Sequence, residues 1–80
     1  MEMSEVVLRE CYYNDDPIAV LEYGYNFIIW FKVGRMILAF DIIFDNSIRY
    51  SLSVLSLEYA RKRYNELIKE DWIPIIEFDE

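Results

Sequence analysis

Several segments of the chain are rich in apolar residues, and where these alternate with polar residues they recur at every second position, which is the period of a β-strand. The alternation is clearest in Ser47 to Leu55, where apolar and polar side chains fall on opposite sides. Asn26 to Val33 and Met36 to Phe44 are dominated by Ile, Phe, Trp, Val, Met and Leu, a composition that suits largely buried strands. Glu5 to Tyr13 and Ile18 to Tyr23 are further strand candidates. The pattern therefore predicts a sheet of about four to five strands.

Turn residues determine how the two central strands pair. In a two-residue Gly34-Arg35 loop, glycine takes the first central position of a type II′ turn, which requires positive φ. A Val33-Gly34 loop would instead set Lys32 opposite Arg35 and force a β-branched residue to positive φ. The Gly34-Arg35 loop pairs Val33 with Met36. Counting outward places three apolar pairs on one face of the sheet, namely Phe31–Leu38, Ile29–Phe40 and Phe27–Ile42.

The other connections are also marked by turn residues. Asn14 to Pro17 is a predicted turn, and Gly24 marks a turn or a bulge. The apolar side of the predicted strand Ser47 to Leu55 must lie on the same face as the three apolar pairs. This requires Phe44 to lie opposite Ile48. The Asp45-Asn46-Ser47 loop must then contain an odd number of residues, because a two-residue loop would send every side chain to the other face.

After Ser56 the apolar spacing changes to three and four residues, which is typical of a helix. Ser56 suits the N-cap, and the helix carries its apolar side chains in one stripe, namely Leu57, Ala60, Tyr64, Leu67 and Ile68. Trp72 and the approach to Pro74 end the helix, because a residue before proline avoids the α conformation. Ile73 to Phe78 is a final extended segment, which Pro74 confines to a sheet edge or places off the sheet.

These elements predict one α+β domain over residues 1–80. It is an antiparallel β-meander of about four to five strands, with one C-terminal helix packed on one face and a short terminal extended segment. We expect the helix to cover the face of the three apolar pairs. The opposite face of the hairpin then exposes Ile28, Trp30, Ile37 and Ile43, and such a patch predicts a homodimer through these four residues. The terminal segments or a different protein are the alternative covers.

The residue types present exclude most catalytic and metal chemistry. The chain has no His, one Cys and two Gly, which excludes His-based nucleophiles, zinc sites and glycine-rich phosphate loops. Paired carboxylates would need a cleft that raises one pKa, for which so short a chain has little room. Asn14-Asp15-Asp16 lacks the spacing of a calcium loop, and Cys11 lies among apolar residues as a small hydrophobe. We therefore expect no enzyme, no cofactor and no metal.

A membrane span and a secretory signal are also not expected. Tyr25 to Phe44 is long enough to cross a bilayer, but it contains Lys32, Arg35 and Asp41. Each of these charges would cost about 2.5–3.5 kcal/mol near the centre of a spanning helix. Met1 to Glu5 contains two acids and no base, and a lone cysteine suits a reducing compartment. These features predict a cytoplasmic protein.

Charge is distributed unevenly along the chain, whose formal net charge is −7. Residues 1–22 hold six acids and one base, residues 23–65 hold three acids and six bases, and residues 66–80 hold six acids and one base. A small acidic chain without catalytic groups predicts a protein-interaction module. Its expected partner is a basic or nucleic-acid-processing protein, which it would inhibit in the manner of an antitoxin, an immunity protein or a phage inhibitor.

The alternative function is single-stranded nucleic-acid binding by the aromatic sheet. A four-stranded meander followed by one helix resembles the topology of dimeric single-strand-binding transcription coactivators. A net charge of −7 opposes this function, because nucleic-acid affinity depends on cations that neutralise phosphates. The groups available for it are the cations Lys32, Arg35 and Arg49 and the stacking rings Tyr23, Tyr25 and Trp30.

Overall fold

Five antiparallel strands form one sheet, and a helix packs on each of its faces. The computed structural model describes residues 3–78. In chain order the elements are α1 (Met3–Asn14), β1 (Ala19–Tyr23), β2 (Asn26–Val33), β3 (Met36–Phe44), β4 (Ile48–Ser56), α2 (Leu57–Lys69) and β5 (Ile73–Ile76). The strands lie in the order β4-β3-β2-β1-β5, so β4 and β5 are the edge strands. The predicted α+β meander followed by a helix is confirmed.

The central hairpin has the predicted register. Val33 pairs with Met36, and the three apolar pairs predicted from this loop are all formed. Gly34 has a φ of +62° while Arg35 keeps a negative φ, as a type II′ turn requires. Gly24, with a φ of +59°, begins the two-residue turn between β1 and β2. Glycine is needed at both turns because other residues rarely adopt positive φ.

The hairpin of β3 and β4 also has the predicted register, with Phe44 opposite Ile48 across a three-residue loop. The Ser47 N–H donates a hydrogen bond to the Asp45 carboxylate at 3.2 Å. This bond, with a contribution from nearby Arg49, holds the pKa of that carboxyl below its ordinary value. Because Phe44 lies opposite Ile48, the apolar side of β4 joins the face of the three apolar pairs, as the alternation of apolar and polar residues required.

The N-terminal segment is a helix, so the strand predicted for Glu5 to Tyr13 is wrong. Leu8 and Cys11 are buried and lie three residues apart, and half-buried Val7 lies one turn before Cys11. This spacing is that of an amphipathic helix. The Asp15 N–H donates to the Cys11 carbonyl at 2.7 Å and extends the helical hydrogen bonding past the last residue of α1. The strand propensity of Val and Tyr is overridden here by packing of the helix onto the sheet.

The two helices cover opposite faces of the sheet, and the predicted position of the C-terminal helix is reversed. The α1 face, which α1 covers, is the face of the three apolar pairs and holds Phe27, Ile29, Phe31, Leu38, Phe40 and Ile42. The α2 face, which α2 covers, holds Ile28, Trp30, Ile37 and Ala39. Both faces are apolar, so the pattern of apolar and polar residues along the strands does not indicate which face the C-terminal helix covers. Small side chains in the α2-face core, Ala19, Ala39 and Ala60, let the helix approach the sheet closely.

Local hydrogen bonds fix both ends of α2. Ser56 is the N-cap, as predicted, and its hydroxyl accepts from the Tyr59 N–H at 3.2 Å. At the other end Asp71 has a φ of +70°, and the Trp72 N–H donates to the Leu67 carbonyl at 3.1 Å, as in a Schellman motif. This termination turns the chain back so that β5 pairs with β1. Within residues 3–78, neither helix has the length and apolar character needed to cross a membrane.

Candidate functional site

Three of the four residues predicted to form an association surface are buried by the chain itself. Ile28, Trp30 and Ile37 are 7%, 1% and 0% exposed beneath α2. Ile43 is half-buried and lines a groove beside the helix. The expectation that this face lacks a cover within the chain is therefore wrong, because the C-terminal helix lies on it.

The groove exists because α2 crosses its face obliquely and leaves one corner open. The helix begins beside Met36, which pairs with Ser56, and ends where the Trp72 ring lies 5.5 Å from the Tyr23 ring at the opposite end of the sheet. The open corner is a groove of about 360 Å³ between α2 and strands β2, β3 and β4. Its polar lining consists of Asn26, Asp41, Ser51, Ser53, Tyr59 and Arg63. The sequence pattern singled out none of these residues as a site.

Asp41 is a half-buried carboxyl within this groove. Burial raises its pKa above the ordinary value, while Arg63 and the Ser51 hydroxyl oppose the shift. Arg63 also contacts two acids of its own helix and the turn after it, Glu66 at 3.4 Å and Glu70 at 3.7 Å, so its charge is shared. Asp41 is the only carboxylate among the described residues that line the groove. The groove can therefore hydrogen-bond a polar group, but it does not present the paired carboxylates of acid–base hydrolysis.

The other candidate groups from the sequence are Cys11 and the Asn14 to Asp16 segment. Cys11 is buried, as predicted for a small hydrophobe. Burial, and to a lesser extent Asp15 and Glu10, raises the pKa of its thiol, which keeps the sulfur protonated at neutral pH. Asn14 is the last residue of α1, and residues 15–17 form an irregular connection to β1 in place of the turn predicted for Asn14 to Pro17. In the part of the chain that the structure describes, no three His, Cys, Asp or Glu side chains are placed to hold a metal ion.

The sheet edge at β5 exposes apolar side chains. Ile73, Ile75 and Ile76 are 64%, 53% and 41% exposed, and we call these three residues the isoleucine edge. Pro74 lies among them and pairs with Leu21 of β1, so the first of the two positions predicted for it, a sheet edge, is confirmed. The outer side of β5 pairs with no strand of residues 3–78. An apolar edge strand with free backbone groups is a ready surface for another chain.

Acidic residues lie at both ends of the isoleucine edge. Glu22 pairs with Ile73 at the start of β5, and Glu77 directly follows Ile76 at its end. Residues 66–80, which include β5, contain six acids and one base. The turn before β5 adds two further acids near its start, Glu70 and Asp71. The edge therefore presents an apolar strip with carboxylates at both ends.

Comparison with known proteins identifies no relative of this chain. No protein-family model matches the chain, and no curated protein or solved structure is significantly similar to it. The groove and the isoleucine edge are therefore the features from which a function must be inferred.

Proposed function

We propose that the protein is a small acidic, non-enzymatic protein-interaction module whose isoleucine edge binds a partner with a basic surface. The observation that carries this proposal is the exposed apolar strand β5 with carboxylates at both ends. The formal charge of −7 for the whole chain favours partners of opposite charge. In this arrangement the isoleucines supply affinity, and the acids supply orientation and partner selection.

The isoleucine edge has enough unburied surface to anchor a partner. Full burial of one such side chain is worth about 1.5–3 kcal/mol. Ile73 and Ile75 each have more than half of their surface left to lose. A partner strand laid along β5 would also satisfy free backbone groups, as in β-strand addition. Pro74 has no N–H to donate, so the ladder would be short and the side chains would carry most of the affinity.

The acids define the class of partner. Carboxylates at the two ends of the edge present negative charge, as phosphates do, so a surface built to bind nucleic acid is complementary to them. The proposed partner is therefore a nuclease toxin, a polymerase or another nucleic-acid-processing protein. The module would occupy its basic surface in the manner of an antitoxin, an immunity protein or a phage inhibitor.

Single-stranded nucleic-acid binding is the alternative, and the geometry favours it less. Trp30, one of its three stacking rings, is buried beneath α2. Tyr25 is exposed in a turn, and Tyr23 is in contact with Trp72. Helices lie on both sheet faces of the described chain, which leaves these two tyrosines at a sheet corner rather than on an open platform.

We further propose that the protein acts in the cytoplasm as a homodimer. The thiol of Cys11 is free and buried, which suits a reducing compartment. Because α2 occupies the face of Ile28, Trp30 and Ile37, a dimer must use a different surface.

Affinity capture from the source cell with three forms of the protein tests the proposed function. The baits are the parent, Ile75→Lys and Val54→Lys. The two substitutions introduce the same cation on opposite sheet edges, at side chains that are 53% and 57% exposed. We expect the parent and Val54→Lys to retain a partner with a basic surface, and Ile75→Lys to lose it because the cation repels that surface and removes an apolar contact.

Two results would contradict the proposal. Retention of the same partner by Ile75→Lys would place the binding surface elsewhere on the molecule. Binding of the parent to single-stranded oligonucleotides at micromolar concentration, with a steep dependence on salt, would favour the nucleic-acid alternative.

A further inference from the structure

The second sheet edge, β4, differs from β5 in length and composition. It has nine residues and contains no proline, glycine or lysine, and Arg49 is its only charged residue. Its pairing with β3 runs without a register shift from one end to the other. Natural edge strands are normally protected by short length, charge, proline or a bulge. β4 has none of these protections along its central residues.

One hydrogen bond identifies which backbone groups of β4 point outward. The Phe44 N–H donates to the Tyr25 carbonyl at 3.2 Å, so the backbone groups of Phe44 point toward β2. Along an antiparallel strand these directions alternate, so residues 43, 41, 39 and 37 point toward β4. Their partners in β4 are residues 49, 51, 53 and 55. The N–H and C=O groups of residues 48, 50, 52 and 54 therefore point away from the sheet.

The side chains at these outward positions are mostly apolar. Ile48 and Val54 are 53% and 57% exposed, and Tyr50 and Leu52 are half-buried on the same face. The opposite side of the strand carries two exposed serines, Ser51 and Ser53. The edge thus combines free hydrogen-bonding groups with an apolar row, which is the pattern that a further β-strand completes.

We infer that β4 pairs antiparallel with β4 of a second copy, which joins the two sheets into one of ten strands. This inference rests on the homodimer proposed above and gives it an interface. Full overlap of the nine residues places the two-fold axis at Leu52, which then pairs with Leu52 of the partner subunit. The neighbouring pairs are Tyr50 with the partner's Val54 and Ser51 with the partner's Ser53, so apolar meets apolar and hydroxyl meets hydroxyl.

Charge is compatible with this pairing despite the net charge of each copy. Arg49, which forms an ion pair with Asp45 of its own chain, lies near the start of β4, and Glu58 lies in the first turn of α2, just beyond the end of β4. Antiparallel pairing brings Arg49 beside the end of the partner strand and its acidic helix start. The acid-rich isoleucine edges lie at the far ends of the combined sheet, about 43 Å apart at ten strands, where their mutual repulsion is screened. The dimer would therefore present two free isoleucine edges.

Sedimentation velocity over a range of protein concentrations tests the interface. We expect the parent to be a dimer at tens of micromolar. Val54→Lys should raise the dimer dissociation constant by about tenfold or more, because each dimer loses two apolar contacts and gains two buried cations. Ile75→Lys, the matched substitution on the β5 edge, should leave the dimer unchanged. Thermal melting by circular dichroism checks that both variants remain folded.

Disulfide cross-linking reads out the register independently and decides the question if Val54→Lys does not fold. In a Cys11→Ala background, Leu52→Cys places two thiols directly opposite at a Cα separation of about 5.5 Å, within disulfide range. Ile48→Cys is the control, because its two copies would lie about 26 Å apart along the strands. Rapid oxidation of Leu52→Cys alone supports the interface.

The outcomes separate this inference from the proposals on which it rests. A parent that stays monomeric at tens of micromolar overturns both the homodimer and the β4 interface. A dimer that survives Val54→Lys, or that cross-links at Ile48→Cys rather than Leu52→Cys, overturns the interface and leaves the homodimer in place. Partner capture through the isoleucine edge is measured in a different assay and does not depend on either result.

Discussion

Replacing Trp30 with alanine removes the largest fully buried side chain of the molecule. Its ring packs edge-on against Tyr64 at 5.6 Å and Phe78 at 5.5 Å, so it links β2 to α2 and to the C-terminal segment. Truncation of a buried aromatic side chain to alanine costs about 3–5 kcal/mol of unfolding free energy. A domain of this length has about 4–12 kcal/mol in total. Trp30→Ala should therefore remove a large share of the stability.

Phenylalanine at the same position is the matched variant. The Trp30 Nε1–H is buried and finds no hydrogen-bond partner among the described residues. Such an unsatisfied donor costs about 1–3 kcal/mol. Trp30→Phe removes the donor and keeps a ring against Tyr64 and Phe78, but it leaves a smaller side chain. Removal of the unsatisfied donor stabilises the variant, and the smaller side chain destabilises it. Because these effects oppose each other, the unfolding free energy of Trp30→Phe should lie within about 1.5 kcal/mol of the parent value.

Urea unfolding followed by far-ultraviolet circular dichroism measures both variants, and their m-values should match the parent. A loss below about 1 kcal/mol in Trp30→Ala would show that Trp30 is not in the core. A loss well beyond about 1.5 kcal/mol in Trp30→Phe would contradict the effect assigned to the buried donor, and equal losses in the two variants would contradict the stabilisation assigned to the ring contacts with Tyr64 and Phe78. Trp30→Glu extends the test, because an unpaired buried charge should prevent folding. A folded monomer of Trp30→Glu would mean that the α2 face is open.

Two further predictions address α2 and the groove. Ala60→Pro, in the middle of α2, should lose about 3 kcal/mol or more by removing a helical hydrogen bond, and a melting curve like that of the parent would contradict the helix. Asp41→Asn should be at least as stable as the parent at neutral pH. The folded state raises the pKa of Asp41 above the ordinary 3.8, so its stabilising contribution is present below that pH and is lost as pH rises through the folded value. As pH rises from 3.8 through the folded pKa of Asp41, the unfolding free energy of the parent should fall relative to that of Asp41→Asn. Urea unfolding at a series of pH values measures this difference, and a parent that gains stability over the same pH range would show that its pKa is not raised.

The strand registers could be predicted because local chemistry determines them. Gly34 is suited to the positive φ of a two-residue turn, and the alternation beyond Ser47 tolerates only an odd loop. Ser56 was identifiable as a cap because a hydroxyl precedes the first apolar residue of a helical pattern. Each of these signals lies within a few residues of the feature that it fixes.

The arrangement of the helices could not be predicted in the same way. Val6, Val7 and Tyr12 favour a strand by propensity, although the spacing of Val7, Leu8 and Cys11 was an available signal for α1. Which face α2 covers depends on packing between distant residues, and both faces of the hairpin are apolar. For this reason the predicted association surface coincides with the face that α2 covers.

The candidate site depended on the same long-range packing. Asp41, Ser51 and Arg63 meet only because α2 crosses the sheet obliquely, which no local pattern indicates. The isoleucine edge was partly predictable, since Pro74 pointed to an edge strand and the acids at both termini were evident. Their convergence on one edge requires the pairing of β1 with β5, which joins the two acidic segments of the chain.

Calorimetric titration of the captured partner at low and high salt tests the proposed function most directly. Raising the salt concentration from about 0.05 to about 0.5 M shortens the screening length severalfold and weakens a charge-directed interface. We predict that the parent binds at low salt, that its affinity falls by about tenfold or more at high salt, and that Ile75→Lys does not bind at either. Binding that is independent of salt, or that survives Ile75→Lys, would contradict the assignment of the isoleucine edge as the surface for a basic partner.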